Sequence, residues 1–185
     1  FLPFSIFRGI ISPKKFPSII RTKNATFKLI SKEDLPDHNK PFNSELLEFG
    51  RDKEFLNWRY FSGLHEYSFY KKDSNDDYFV IRTIVKKRIT CLVLVDYRCD
   101  VSKPKNFELL MKAVHKVAGK LKLAVIITGS SLHKVDLILE KKYFKSIGRP
   151  RPIIVSKSFM KESERINKRE FVFTTLADSD GEINW

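Results

Sequence analysis

An aspartate at the end of a long apolar run is the strongest candidate in this chain for a residue that does chemistry. Asp96 follows Leu94 and Val95 in a stretch, residues 89–97, that is otherwise nearly all apolar. Ligands of α/β proteins bind at the carboxyl ends of the central strands, and burial raises the pKa of a carboxyl group towards that of a useful base. Asp96 is therefore a candidate general base. The alternative is a structural carboxylate that caps local backbone or pairs with Arg98.

Two lysines at the predicted start of the next helix could bind a phosphate. Lys103 and Lys105 flank Pro104, a residue typical of the first helical position, and helix N-termini favour anions. Residues 97–107 contain no glycine, so their backbone N–H groups are less able to approach a phosphate closely. The sequence predicts either a modified phosphate site or an ordinary helix start with solvated lysines.

Metal and nucleophile chemistry have little support in the sequence. Cys91 and Cys99 are too few for a four-thiolate zinc site or a disulfide framework, and they favour a reducing, intracellular setting. His115 and His133 have no second ligand at metal spacing. Nucleophile-elbow, Walker and dinucleotide motifs are missing from the sequence. We therefore predict no metal and no nucleophilic or nucleotide hydrolysis.

The chain is strongly basic, with a formal net charge of +13 over 185 residues. Such an excess attracts anions, and its 42% apolar content excludes a disordered chain. Lys112, Lys116, Lys120 and Lys122 lie in a stretch without acids, but no aromatic residues interleave with them, so nucleic acid is not the expected partner. The longest uncharged run, residues 123–133, is shorter than the roughly 20 residues of a membrane span. We predict no membrane span and a cytoplasmic location.

The order of predicted elements places these residues in an α/β fold. We predict a strand over 26–30, helices over 44–49 and 52–61, antiparallel strands over 67–71, 77–86 and 89–97, a helix over 107–119, a strand over 123–128, a helix from Ser131, and closing strands over 153–156 and 171–177. A strand, helix and strand at this spacing form a parallel crossover. The predicted fold is α/β, with a mixed, mostly antiparallel sheet, one parallel crossover pair and helices on both faces.

Residues 1–24 are predicted to be a connector before a domain that covers residues 25–185. Three prolines interrupt the connector, and its many large apolar side chains would each cost about 1.5–3 kcal/mol if left in water. We expect the connector to pack on the domain or on a preceding domain. Because the chain begins with Phe1 rather than methionine, we interpret it as a piece of a longer protein.

The order of elements over residues 25–178 resembles the GNAT superfamily of acyl-CoA-dependent N-acyltransferases. Residues 52–60, Asp-Lys-Glu-Phe-Leu-Asn-Trp-Arg-Tyr, are similar to an Asp-x-x-Phe-Leu-x-Trp-Arg-Tyr signature of bacterial GNAT-like proteins, which often carry two such domains. Residues 139–148 resemble the family's Leu-Tyr-x-Lys-x-Gly-Phe helix end. Residues 174–180, Thr-Thr-Leu-Ala-Asp-Ser-Asp, resemble the ending of the tandem subgroup. The chain is similar to the C-terminal half of such a tandem protein.

The resemblance implies transfer of an acetyl group from acetyl-CoA, or of another acyl group from its CoA ester, to an amine of a small molecule or sugar. In that family the acyl carbonyl bonds to backbone of the central strand, and the two parallel strands splay to admit the pantetheine arm. Asp96 would then be the general base. Carried onto this chain, the residues that contact acyl-CoA are Val93, Leu94, Val95, Lys103, Lys105, Asn106 and Thr128. We predict a split in the sheet between Val95 and Thr128.

Two departures from the family pattern leave alternatives open. Residues 97–107 lack the pyrophosphate loop, Arg/Gln-x-x-Gly-x-Gly/Ala, and the position of the family's acidic Tyr holds Leu139, while Tyr143 stands where a Gly is expected. One alternative is a GNAT-fold half that no longer catalyses and serves as a platform or partner for a missing N-terminal domain. The other is an anion- or nucleic-acid-binding module.

Overall fold

A mixed sheet organises the part of the chain that the computed structural model describes, which is residues 15–37, 43, 46–63, 65–142, 144–146 and 172–178. The strands are β1 (Ile19–Arg21), β2 (Thr26–Leu29), β3 (Leu47–Glu48), β4 (Ser68–Lys72), β5 (Tyr78–Lys86), β6 (Ile89–Arg98), β7 (Val125–Ile127) and β8 (Val172–Phe173). The helices are α1 (Lys53–Phe61), α2 (Pro104–Leu121) and α3 (His133–Lys141), with 3-10 turns at Lys32–Asp34 and Leu176–Asp178.

The sheet has the strand order β1-β2-β4-β5-β6-β7. Neighbours are antiparallel from β1 to β6, and β6 and β7 are parallel and connected through α2. Strands β3 and β8 form a separate parallel pair. The predicted fold class is confirmed: α/β, with a mostly antiparallel sheet and one parallel crossover pair.

Two apolar cores cover the two faces of the sheet, and β6 contributes to both. Leu92 and Leu94 of β6 lie in the core that contains the inner face of α2, and Val93 and Val95 lie in the core that contains Leu56 of α1. Strong amphipathic spacing in α2 explains its place on the sheet. Strand β6 is therefore buried on both faces, as its apolar sequence predicts.

Several predicted elements need correction. The helix predicted over residues 44–49 is wrong in its described part, because Leu47 and Glu48 pair as a strand with Val172 and Phe173. Tertiary pairing overrides local propensity in so short a stretch. The strand predicted over 171–177 is limited to two residues and is followed by a 3-10 turn. The strand predicted over 153–156 lies outside the described residues.

Part of the predicted connector belongs to the sheet. Residues Ile19–Arg21 form the edge strand β1, and Ile20 is fully buried in the core on the α2 side. The sequence did not predict this strand, because two of the three prolines lie close before it. Residues 1–14 lie outside the described residues.

The C-terminal end of α2 also differs from the prediction. Gly119 does not end the helix, which continues to Leu121. Lys122 ends it in the left-handed conformation, with φ 55°, and its N–H donates to the carbonyls of Ala118 and Gly119. Within the ranges described above, no helix combines the length and the apolar character that crossing a membrane requires.

Candidate functional site

The backbone pairing between the parallel strands stops halfway along β6. Its last pair is Val93 with Ile127, although β6 continues to Arg98. Neither Val95 nor Thr128 takes part in this pairing. Backbone pairing is thus absent between these two residues, as predicted, but β7 ends at Ile127, and the groove between the two strand ends stays a prediction.

A β-bulge lies next to this split. On the other side of β6, Val80 of β5 pairs with Asp96 while the next residue, Ile81, pairs with Leu94. Val95 is thus an extra residue of β6. Bulges bend a strand and re-aim the side chains beside it. The bulge accordingly lies directly before Asp96, beyond the last residue of β6 that pairs with β7.

Residues 172–178, here called the C-terminal segment, occupy the space beside the free half of β6. Phe173 packs on Tyr97 in the core on the α2 side, with ring centroids 5.5 Å apart. Leu176, three residues later, is fully buried in the core on the α1 side. The segment therefore passes from one face of the sheet to the other alongside the end of β6.

The loop after β7 holds the C-terminal segment from its other side. The Ser131 hydroxyl donates to the Val172 carbonyl, and the Thr174 N–H donates to Ser131 Oγ at 2.8 Å. The Ser131 N–H also donates to the Thr174 carbonyl, at 3.3 Å. The segment is thus bonded to the loop after β7 and packed on the end of β6, and it lies between them.

Five side-chain donors converge on Asp96, which is completely buried. They come from α1, β5, β6, the chain two residues before α1 and the C-terminal segment. Asp96 Oδ2 accepts hydrogen bonds from Arg51 Nε (3.0 Å), the Tyr60 hydroxyl (2.7 Å) and the Tyr78 hydroxyl (3.1 Å), and Oδ1 accepts from Arg98 Nη1 (2.8 Å) and Thr175 Oγ1 (2.7 Å). The carboxylate is surrounded by protein donors on all sides.

A second buried carboxylate completes the charge balance of this cluster. Asp178 Oδ1 pairs with Arg51 Nη2, and Asp178 Oδ2 lies 3.5 Å from Arg98 Nη2. The Thr175 N–H donates to Asp178 Oδ2 at 2.9 Å. These two carboxylates neutralise the two guanidinium groups, as buried charges require, and Glu48 Oε2 lies a further 4.0 Å from Arg98 Nε. We call Arg51, Asp96, Arg98, Thr175 and Asp178, with the two tyrosines, the Asp96 cluster.

The pKa of Asp96 is shifted in the direction opposite to our expectation. Burial pushes this pKa up, but the positive charges of Arg51 and Arg98, with hydrogen bonds from Thr175 and Tyr60, hold it well below its ordinary value. The expectation that burial would raise it was wrong, because the arginines outweigh desolvation. Of the two interpretations of Asp96, the structure bears out its pairing with Arg98. A role as general base stays a prediction.

This lowered pKa leads to a prediction about acid stability. A carboxylate whose folded pKa lies below its unfolded value of about 3.9 stabilises the fold fully above that value, and the stabilisation is lost as the pH falls towards the folded pKa. We expect one aspartate carboxyl carbon that does not titrate between pH 7 and about pH 3 in ¹³C NMR, assigned to Asp96. A normal titration midpoint near 4 would contradict the ion pairing.

The other residues implied in acyl-CoA binding are spread over different environments. Lys103 and Lys105 are exposed, and Lys103 Nζ lies 3.2 Å from Asp100 Oδ2. The Asn106 amide donates to the Asp100 carbonyl at 3.3 Å. Thr128 has a buried Oγ1 that finds no hydrogen-bond partner among the described residues. Only Val93, Leu94 and Val95 lie beside Asp96, with side chains directed into the two cores.

The sequence analysis missed most of the Asp96 cluster. Tyr60 lies in the first stretch that resembles GNAT-like proteins, and Thr175 and Asp178 lie in the last one. These two stretches meet at one carboxylate, which gives a physical reason for their occurrence in one chain. Arg51 precedes the first stretch by one position, and no local pattern marks it.

No group of three or more metal-ligating side chains comes together in the part of the chain that the structure describes. Comparison of this chain with known protein families, with curated proteins and with solved structures gives no match. The GNAT resemblance rests on the order of elements and on the three short stretches quoted above.

Proposed function

We propose that this chain is a GNAT-like domain that does not itself transfer acyl groups and that serves as a platform for a second domain. The observation that carries the proposal is the C-terminal segment in the split beside β6. In the GNAT arrangement, the pantetheine arm and the acyl carbonyl occupy this space next to backbone around Val93 and Val95. A segment that is bonded to Ser131 and Asp96 from its two sides competes for the same space.

The chemistry around the split supports the same proposal. The Asp96 carboxylate has five donors and a low pKa, so its affinity for the proton of an amine is weak. The start of α2 has no glycine and no side-chain cap, and its Lys103 is paired with Asp100. Neither the base nor the phosphate cradle of an acyltransferase has a strong counterpart here.

An exposed aromatic surface supports the role as a platform. Trp58 on α1 is 59% exposed and packs on Phe55 with ring centroids 5.9 Å apart, and Phe49 is 55% exposed. Arg51 connects Phe55 with Phe49, since its guanidinium lies over the Phe55 ring at 4.7 Å and donates to the Phe49 carbonyl. Large aromatic side chains of this kind are typical of protein interfaces. We place the contact with the second domain on this surface.

Calorimetric titration with acetyl-CoA tests the proposal. We expect a dissociation constant of about 1 mM or weaker, because the ligand must displace the C-terminal segment. Micromolar affinity would contradict the platform role and favour acyl transfer. In that case Lys103→Ala with Lys105→Ala should weaken binding and reduce its salt dependence, whereas Lys53→Ala with Lys134→Ala, two exposed helix lysines elsewhere, should not.

Acyl transfer to an amine is the second candidate function, and the split itself favours it. Backbone pairing between β6 and β7 ends, and β6 carries a bulge, at the place where the resemblance puts the acyl group. Under this candidate the C-terminal segment moves aside to admit the acyl-CoA. Amine-dependent release of free CoA thiol from acetyl-CoA would support it.

A further inference from the structure

A cavity of about 590 Å³ lies beside the middle of α2, between that helix, the turn after β1 and the end of α3. Lys112, His115 and Lys116 line it from α2, Lys23 from the turn, and Lys142 from the end of α3. It shares no residue with the Asp96 cluster. Lys103 and Lys105 stand at the N-terminal end of α2 and do not line the cavity, so it is also separate from the phosphate site that the resemblance implies.

The four lysines of this cavity have no counter-charge among the residues that the structure describes. Among the described residues, no carboxylate oxygen lies within 4 Å of the ammonium groups of Lys23, Lys112, Lys116 or Lys142, and no acid lines the cavity. Some lysines elsewhere on the described surface are paired, for example Lys28 with Asp73 at 3.1 Å. Like charges that line one concave site repel each other unless an anion binds between them.

Two of the lining side chains are held in place by backbone carbonyls. Lys116 Nζ donates to the Arg21 carbonyl at 2.7 Å, which ties α2 to the end of β1. His115 Nδ1 lies 2.8 Å from the Met111 carbonyl, and since a carbonyl only accepts, Nδ1 carries the proton. The His115 ring also packs edge-on against Phe144, with centroids 5.8 Å apart. Part of the cavity wall is therefore fixed before any ligand arrives.

The walls offer apolar surface as well as charge. Lysine side chains present their aliphatic stems while the ammonium groups stay at the rim, and Met111 lies fully buried behind them. Cavities of about 300–1,000 Å³ are typical of small-molecule sites. A single-stranded nucleic acid requires instead an extended basic groove with stacked aromatic residues.

We propose that this cavity binds a small phosphorylated molecule of nucleotide size. The phosphate groups lie between Lys23, Lys112 and Lys142, and the apolar or planar part lies against the lysine stems. Several positive charges on three elements match a diphosphate better than a single carboxylate. The proposal is independent of the proposed function, because neither the split nor the Asp96 cluster takes part in it.

Calorimetric titration with ADP, inorganic pyrophosphate and adenosine tests this site on the full chain. We expect ADP to bind more tightly than pyrophosphate, and adenosine to show no measurable binding. The double variant Lys112→Ala, Lys142→Ala should weaken ADP binding about 100-fold, about tenfold for each charged contact. The control double variant Lys53→Ala, Lys134→Ala removes the same charge from exposed helix positions and should change the affinity less than about twofold.

Three results would overturn the proposal. The first is an ADP affinity that both double variants weaken equally, because it would show only general attraction to a basic chain. The second is no ADP binding by the unaltered chain at about 1 mM. The third is tighter binding of a single-stranded oligonucleotide than of ADP, with both double variants equally affected, which would assign the basic surface to nucleic acid.

Discussion

Replacing Asp96 by alanine is expected to lower the free energy of unfolding by about 3–5 kcal/mol or to prevent folding. The substitution leaves the buried Arg51 and Arg98 without their closest shared carboxylate, with Asp178 and Glu48 as the remaining acids, and it removes the acceptor of the Tyr60 and Tyr78 hydroxyls. An uncompensated buried charge costs more than the ion pair contributes when intact. Urea unfolding followed by circular dichroism measures the difference.

The matched control for this substitution is Asp73→Ala. Asp73 also forms an ion pair, with Lys28 at 3.1 Å, but the side chain of Lys28 is 54% exposed and that of Asp73 is 41% exposed. Its loss should cost no more than about 1 kcal/mol. If Asp96→Ala does not fold, Asp96→Asn keeps the shape and part of the hydrogen bonding and should still cost more than the control. Equal effects of Asp96→Asn and Asp73→Ala would contradict the structural role of Asp96.

Replacing Phe173 by alanine is the second change with a large expected effect, about 3–5 kcal/mol. The Phe173 ring is fully buried, packs on Tyr97 and lies 4.8 Å beneath the guanidinium carbon of Arg98. Its removal leaves a cavity between the C-terminal segment and the end of β6. Thermal or urea unfolding of the variant measures the cost.

Phe49→Ala is the control for the Phe173 prediction. Phe49 has the same side chain but is 55% exposed, so its removal should change stability by no more than about 0.5 kcal/mol. If Phe173→Ala were as mild as Phe49→Ala, the C-terminal segment would not be packed as part of the domain, and the split beside β6 would be open to a ligand.

The sequence predicted the elements whose pattern is local. Alternation and β-branched residues indicated β4, β5 and β6, and helical spacing indicated α2. The helix predicted over 52–61 was also found as α1, and Asp52 Oδ1 caps its start by accepting from the Phe55 N–H at 2.7 Å. Each of these features depends on residues within a few positions of one another.

The site depends instead on contacts between distant parts of the chain, which a single sequence does not show. Thr175 meets Asp96 from 79 residues away, and Arg51 meets Asp178 from 127 residues away. Without these partners, the sequence left open whether Asp96 is a base or pairs with Arg98, and the expected direction of its pKa shift, argued from burial, was wrong. The bulge at Val95 and the two-residue strand β3 carry no sequence signal of their own for the same reason.

Amide hydrogen exchange in the C-terminal segment tests most directly the claim that the chain fills its own ligand groove. The Thr174 N–H donates to Ser131 Oγ at 2.8 Å and the Thr175 N–H to Asp178 Oδ2 at 2.9 Å. We predict that both amides exchange as slowly as those of β6, and that about 1 mM acetyl-CoA leaves their rates unchanged. Exchange within seconds in the free chain, together with altered protection along β6 when acetyl-CoA is added, would show an open groove that admits the ligand and would contradict the platform role.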